Sequence, residues 1–439
     1  MVVAAPTAPL AGRPLLLFLV ALAVLLLAAR LLGRLAERAR QPRIVGELLT
    51  GLLLGPSVLG LVAPEVALWL LPPQPEQAHL LDAIGHLSVL LLVGITGTQL
   101  DLRMLGQRGT AAVAATVSLS ALVVPLGLGF GLGWLLPDAL ISETSDRWLF
   151  ASFLAVAMCV SAIPVIAKTL SDLRLLHRDI AQLTLAAGML DDTVAWLLLT
   201  VVTAAATVGV SAGQISISVA YLLGLVIFAA TVGRAVVRRL MRLVARTPES
   251  GPTVATTVVL ILIGAAVTQV LDMDPVFGAF VAGILIGAPG AVDQAKLAPL
   301  RTVVLTVLAP IYLALAGLRM DLTALADPLV ALAAVSVLAV AVIGKFGGAY
   351  LGARLSRRSN WEALALGAGL NARGVIEVIV AMTGLRLGVL TTATYTIVLL
   401  VAIATSLMAP PLLRLAMARI PYRDEERERA KEHEAWAGR

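Results

Sequence analysis

Apolar runs long enough to cross a membrane recur along the whole chain, and this feature leaves few folds open. A helix of about 20 apolar residues spans the ~30 Å hydrocarbon core of a bilayer. Of the 439 residues, 59% are hydrophobic and only 14% are charged, whereas a soluble protein carries about 25% charged residues. Backbone groups in lipid must bond within the protein, so apolar runs of this length cross as helices. The sequence therefore predicts an all-α polytopic protein embedded in a lipid bilayer.

Length and hydropathy predict about thirteen transmembrane helices. The predicted spans lie near residues 14–33, 43–62, 80–99, 110–136, 148–170, 178–207, 215–237, 253–271, 275–289, 300–318, 328–353, 361–385 and 391–419. Residues 1–421 would then form one transmembrane domain. Residues 422–439 would form a charged cytoplasmic tail, which we expect to be solvated.

Lysine and arginine are concentrated in alternate loops, and this asymmetry predicts the orientation. The basic clusters are 34–43, 102–108, 173–178, 234–246, 296–301 and 354–358, whereas 64–77, 137–146 and 210–216 contain no Lys or Arg. Arg319 and Arg386 are exceptions on the opposite side. Basic loops stay in the cytoplasm, so we expect an outside N-terminus and a cytoplasmic C-terminus in the cell (inner or plasma) membrane. The net charge of +6 is explained by these loops and does not indicate nucleic-acid binding.

Two predicted spans contain helix-breaking residues near their middle. The fifth contains Ser161 and Pro164, and proline removes a backbone donor and disfavours helix at the preceding residue. The twelfth contains Gly369, Asn371, Arg373 and Gly374. Broken helices in corresponding positions of two halves are typical of a transporter site. Alternatively, each interruption is a tolerated kink with a polar interhelical contact.

Asp191 and Asp192 are adjacent within an otherwise apolar span. A carboxylate at membrane depth costs about 2.5–3.5 kcal/mol even on insertion scales. Neighbouring residues on a helix point about 100° apart, so the two side chains face different neighbours. A buried carboxylate can hold a proton or a small cation, but not easily both. The pair therefore predicts an ion- and proton-binding site, with a packing role as the alternative.

Counter-charges for these aspartates occur in later spans. Lys345 lies at membrane depth and needs a partner, for which Asp191 is the candidate. Otherwise Lys345 extends to an interface. Arg373 and Glu377 are four residues apart and share a helix face if the helix is continuous there. They act either as charge partners of the site or as a structural ion pair.

Four further residues are secondary candidates. Glu47 lies near the inner end of the second span, and Asp82 lies one turn from His86 near the outer end of the third. Structural roles are favoured for these. Cys159, the single cysteine, and Asn371 lie beside the two interruptions, where freed carbonyls and the Ser161 hydroxyl could coordinate an ion. Cys159 is otherwise a small packing residue.

Four stretches together resemble the monovalent cation:proton antiporters of the sodium/hydrogen exchanger superfamily. They are GELLTGLLLGPSVLG (46–60), MCVSAIPVIAKTLSDLRLLHRDIAQLTLAAGMLDDTVAW (158–196), VIGKFGGAYLGARL (342–355) and GLNARGVIEVIV (369–380). The resemblance covers roughly residues 15–418. It is strongest to the second branch, which includes bacterial Na⁺/H⁺ and K⁺/H⁺ antiporters and plant cation/H⁺ exchangers.

This resemblance implies a specific architecture and specific residue roles. It implies about thirteen helices in inverted repeats, two broken helices that cross in a six-helix core, a homodimer and an elevator movement of the core. Asp192 matches the essential aspartate that binds the monovalent cation, and Asp191 matches its acidic partner in electrogenic members. Lys345 resembles the lysine of those members, and Arg373 and Glu377 match the charged pair of the second broken helix. The plant-type exchangers usually carry Asn where Asp191 stands, which leaves the ion and the stoichiometry open.

The sequence therefore favours a secondary antiporter that exchanges Na⁺ or K⁺ for H⁺, with no bound cofactor and no enzymatic activity. An intramembrane aspartyl protease is disfavoured because its carboxylates face each other from two helices and because no GxGD motif occurs. Two alternatives on the same fold stay open. They are an exporter of an organic solute and a pH-gated cation channel.

Overall fold

The computed structural model describes residues 12–72, 74–99, 108–208, 224–225, 227–271, 273–288, 291–422 and 426, and these residues are almost entirely helical. The first nine helices are α1 (Gly12–Arg38), α2 (Arg43–Leu54), α3 (Leu59–Val62), α4 (Pro64–Leu70), α5 (Pro75–Thr98), α6 (Arg108–Leu135), α7 (Arg147–Cys159), α8 (Ile163–Asp172) and α9 (Asp179–Val208). The next nine are α10 (Arg234–Val244), α11 (Gly251–Val270), α12 (Pro275–Gly287), α13 (Gln294–Val303), α14 (Ala309–Leu318), α15 (Pro328–Leu355), α16 (Asn360–Leu370), α17 (Val375–Arg386) and α18 (Thr392–Met417). Short 3₁₀ turns (Asp138–Leu140, Leu322–Ala326) and π turns (Ala229–Gly233, Val304–Leu308) connect or extend them.

Eleven of the thirteen predicted spans coincide with long apolar helices of the described chain. Ten helical segments are long and apolar enough to cross a bilayer, and α16 with α17 forms an eleventh span that is bent by 46°. The apolar helix α12 is shorter. The predicted seventh span, 215–237, begins within residues 209–223, which lie outside the described part of the chain.

The helices pack as two groups. In the first group, α1, α2, α5 and α14 contact one another, and α12 joins them through α5 and contacts α10 and α11. In the second, α6, α7, α8 and α9 pack with α15, α16, α17 and α18. The groups meet mainly where α17 touches α14, where α9 touches α12 and where α18 touches α2. Both broken helices and both aspartates therefore belong to the second group.

Glycines allow the closest helix contacts in the first group. A Cβ added at Gly51 in α2 would lie 1.9 Å from the Ala314 carbonyl oxygen, and one at Gly317 would lie 2.2 Å from the Leu48 carbonyl oxygen. At the contact between α5 and α12, a Cβ at Gly283 would lie 2.1 Å from the Gly94 carbonyl oxygen. Lipid supplies no hydrophobic force between helices, so this close backbone packing stabilises the group.

Replacing Gly51 by alanine is expected to destabilise the protein by about 1–3 kcal/mol, because the added methyl group must push α2 away from α14. The matched control is Gly131→Ala in α6, where no heavy atom lies within 4 Å of the added carbon. Alanine there is expected to be neutral or to stabilise by up to about 1 kcal/mol. Thermal denaturation of the purified variants in detergent measures both effects. Equal melting temperatures for the two variants would contradict this account of the packing.

Described residues that follow α18 contact the loop between α8 and α9. Arg178 is buried, and its Nε lies 3.1 Å from Oε2 of Glu426. Its guanidinium also donates to the Ile420 carbonyl at 2.9 Å and lies 4.0 Å from the centroid of the Tyr422 ring. Of the predicted solvated tail, only Tyr422 and Glu426 are described, and Glu426 is buried against Arg178.

Candidate ion-binding site at the crossing of two broken helices

The two interrupted spans touch each other at their breaks. The first break comprises residues 160–162, between the end of α7 at Cys159 and the start of α8, where Pro164 lies in the first turn. The Ala162 amide donates to the Ala372 carbonyl in the second break at 3.1 Å. The Ser161 hydroxyl lies 2.9 Å from the Leu370 carbonyl at the end of α16. The helix breaks predicted from the sequence are therefore both present, and they are bonded to each other.

Two positively charged side chains cap the carbonyl end of α7. The Arg373 guanidinium donates to the carbonyls of Ala157 and Met158, both at 2.6 Å. Lys345 Nζ donates to the Cys159 carbonyl at 2.5 Å. The last carbonyls of a helix lack partners within it and carry the negative end of its dipole. Both side chains therefore stabilise a helix end that is fully buried in the bundle.

Asp191 is the more fully bonded of the two aspartates. Its Oδ2 accepts from Lys345 Nζ at 2.6 Å, and its Oδ1 accepts from the Ser118 hydroxyl at 2.5 Å. The Ser161 hydroxyl lies 3.0 Å from Oδ2. That hydroxyl has one hydrogen, so it donates either to Asp191 or to the Leu370 carbonyl. Asp191 and Lys345 are both 0% exposed and form a buried, neutral pair.

Asp192 has a different environment. It is 1% exposed, and its carboxylate lies beside the Ile163 amide at the start of α8. The amino end of a helix carries the positive end of its dipole and attracts anions. Its Oδ1 has no hydrogen-bond partner among the described residues. A buried acceptor without a partner costs stability, so this oxygen is an unsatisfied polar atom of the bundle interior.

Asn371 contributes a second set of open polar atoms at the crossing. It is fully buried, and neither its amide nitrogen nor its amide oxygen has a partner within the described chain. Arg373 Nη1 lies 3.1 Å from Glu377 Oε1, so the predicted i, i+4 pair is formed. The Glu377 Oε2 atom, like Asp192 Oδ1, has no partner among the residues described.

The remaining candidates lie in separate environments. Glu47 is buried beside Gly33 of α1, and Asp82 forms a surface ion pair with Arg319. The Cys159 thiol bonds to the Val156 carbonyl at 3.2 Å, so Cys159 contributes its backbone and not its sulfur to the contact with Lys345. Over the described residues, no three His, Cys, Asp or Glu side chains form a group that could hold a metal ion.

Two serines of the site were not predicted from the sequence. Ser118 in α6 bonds to Asp191, and Ser406 in α18 donates to the Arg373 carbonyl at 2.6 Å. Each is one of several hydroxyl-bearing residues in an apolar helix, so neither its residue type nor its position in the sequence indicates that it belongs to the site. Only the tertiary packing distinguishes these serines from the others.

Comparison with known proteins identifies the family. The family model described as "Sodium/hydrogen exchanger, transmembrane" matches residues 18–418. The chain belongs to this family. The Na(+)/H(+) antiporter NhaS4 of Synechocystis sp. is 30% identical over 405 residues, which cover 91% of this chain and 97% of that protein.

Other relatives are named for different cations. The K(+)/H(+) antiporter 1 of Saccharomyces cerevisiae is 26% identical over 92% of this chain and 47% of its own length. Cation/H(+) antiporter 17 of Arabidopsis thaliana is 29% identical over 90% of this chain and 48% of its own length. The chain thus spans nearly all of the cyanobacterial relative and about half of these two eukaryotic relatives.

A solved structure establishes the fold. The sodium proton antiporter MjNhaP1 from Methanocaldococcus jannaschii superposes with a TM-score of 0.62 at 16% identity, over 92% of this chain and 97% of that chain. The family member described here therefore has the sodium/proton antiporter fold.

Proposed function

We propose that this protein is a secondary active antiporter that exchanges Na⁺ or K⁺ for H⁺. The observation that carries the proposal is the open Oδ1 of Asp192, a buried carboxylate oxygen beside the crossing of two broken helices. A cation that leaves water needs oxygen ligands and a negative charge. Asp192 supplies both, and the pairing of Asp191 with Lys345 leaves the Asp192 charge without a neighbouring cation of its own.

The same oxygen of Asp192 can hold a proton when it holds no cation, and this competition couples the two ions. In the proposed cycle, deprotonated Asp192 binds the cation with help from hydroxyls and carbonyls around Ser161. Asp191 releases Lys345 as it engages the cation, and protons displace the cation on the other side of the membrane. Exchange is then electrogenic, and each net charge moved is worth about 2.3 kcal/mol per 100 mV of membrane potential.

The assembly is part of the proposal. Residues 1–421 form the exchanger domain in the cell membrane, the N-terminus lies outside, the C-terminus lies in the cytoplasm, and the protein works as a homodimer. The two packed groups of helices, with both broken helices in one of them, support a movement of one group against the other.

The test is a flux measurement in proteoliposomes that carry an imposed pH gradient. Na⁺, K⁺, Li⁺ or Rb⁺ is added in turn at acidic, neutral and alkaline external pH, and a pH-sensitive dye follows the gradient. We expect one or two of these cations to collapse the gradient, which names the substrate. Cation flux that needs no proton counter-flux would indicate a channel. No response to any alkali cation would reject the proposal and leave an organic solute as the substrate.

A further inference from the structure

A basic cavity lies at the end of the bundle where α1 turns into α2 and where α8 ends. Its volume is about 800 Å³, which is within the usual range for small-molecule sites. Five of its lining side chains are basic: Arg40, Arg43, Lys168, Arg174 and Arg414. Two are acidic, Glu37 and Asp172, so the lining carries a net charge of three positive. A concave surface with this excess of positive charge concentrates anions.

The acidic side chains neutralise only part of the basic set. Glu37 pairs with Arg43 and lies 3.5 Å from Lys168. Asp172 lies 2.6 Å from Lys168. Arg40, Arg174 and Arg414 have no carboxylate within 4 Å in the part of the chain that the structure describes. Three guanidinium groups around one cavity are therefore available to an anion.

The wall of the cavity also contains a buried hydroxyl without a partner. Thr169 is 4% exposed, lines the cavity, and its Oγ1 has no hydrogen-bond partner among the described residues. Buried hydroxyls are nearly always bonded, and helical threonines usually bond to the carbonyl one turn earlier. The Oγ1 atom itself has almost no accessible surface, so it can donate to an anion in the cavity only after the side chain rotates.

Two of the arginines occupy backbone positions that favour glycine. Arg40 follows α1 with φ 60° and Arg174 follows α8 with φ 54°. In each case the chain closes the helix with the paired hydrogen bonds typical of a glycine-terminated end. A side chain in this left-handed region costs stability, and both side chains line the cavity.

We propose that this cavity binds an anion that carries a phosphate group, either a lipid headgroup or a soluble phosphate ester. The cavity is larger than an inorganic phosphate ion, so it has room for a phosphate ester. A planar guanidinium group can donate two parallel hydrogen bonds to two oxygens of a phosphate group. The α1–α2 turn belongs to the first group of helices, whereas α8 and α18 belong to the second. A bound anion therefore bridges the two groups and resists their relative movement.

The experiment measures binding directly on the full-length protein in an uncharged detergent. The two probes are ATP and a short-chain phosphatidylinositol 4-phosphate, and thermophoresis gives the Kd for each. We expect Arg40→Gly/Arg174→Gly to weaken binding by about tenfold or more, because two charge-assisted contacts are lost. Glycine suits both backbone positions, so this variant keeps the fold. Thr169→Val is expected to weaken binding by a smaller factor.

The matched control is Arg357→Gly. Arg357 follows α15 with φ 58° and is exposed, but it does not line the cavity. The control removes one arginine, half the charge lost in the double variant, at the same kind of backbone position. Because Arg357 lies away from the cavity, the Kd is expected to stay unchanged. Saturable binding of only the lipid or only ATP identifies the source of the phosphate, and either result supports the site. No saturable binding of either probe overturns the proposal, as does an equal loss in Arg357→Gly. Neither readout depends on ion transport, so a failure of the antiport assay leaves this test intact.

Discussion

Replacing Asp192 by asparagine is expected to abolish cation-dependent collapse of the pH gradient without loss of stability. The substitution removes the negative charge that the proposed cation needs, and asparagine cannot hold the exchanged proton. A fall of more than about 100-fold in exchange rate corresponds to about 2.7 kcal/mol. Stability moves the other way, because the substitution replaces a buried charged group, whose Oδ1 has no partner, by a neutral one that costs less to bury. The melting temperature in detergent is expected to be equal to the native value or higher.

This opposite change in stability and transport separates a functional role of Asp192 from a structural one. The control is Asp138→Asn, which changes a side chain that is 93% exposed and is expected to leave both properties unaltered. Retained exchange in Asp192→Asn would remove Asp192 from the ion path. Lost exchange together with a lower melting temperature would mean that Asp192 supports packing.

The residues of the candidate site that were predicted from the sequence are those that carry an energetic penalty in lipid. Carboxylates, a lysine and an arginine at membrane depth are costly, so Asp191, Asp192, Lys345 and Arg373 were recognisable without a structure. The need of Lys345 for a counter-charge also indicated Asp191 as its partner. Proline and glycine near mid-span predicted both breaks, because each residue has a direct effect on the backbone.

The rest of the site depends on which helices the fold brings together. The i, i+4 spacing predicted the contact between Arg373 and Glu377, but the same guanidinium also bonds to carbonyls of Ala157 and Met158. Those atoms lie more than 200 residues earlier in the chain, and every residue has a carbonyl, so no sequence pattern marks them. Ser118 was missed for the same reason. The ion pair between Arg178 and Glu426 was missed because a charged terminal segment usually stays in solvent.

Replacing Lys345 by methionine is expected to destabilise the protein by about 3–5 kcal/mol. Methionine fills a similar volume but leaves the Asp191 carboxylate buried without a counter-charge, which is the costly way to break a buried ion pair. It also leaves the Cys159 carbonyl without its donor. The matched control is Lys168→Met, because Lys168 is 45% exposed in surface ion pairs that contribute about 0–1 kcal/mol. Melting temperatures of both variants in detergent measure the difference, and equal values would show that Asp191 does not need Lys345.

Adding Asp191→Asn to Lys345→Met is expected to restore most of the lost stability, because both buried charges are then removed together. The coupling energy of this double-mutant cycle isolates the interaction between the two side chains.

Transport by the double variant then tests the proposed cycle. If Lys345 changes partners during each turnover, the native exchanger responds to an imposed potential, and the double variant, which keeps Asp192, exchanges ions without that response. A voltage-independent native exchanger would contradict electrogenic transport. An unchanged voltage response in the double variant would assign the moving charge to other residues and leave Lys345 as the cap of α7.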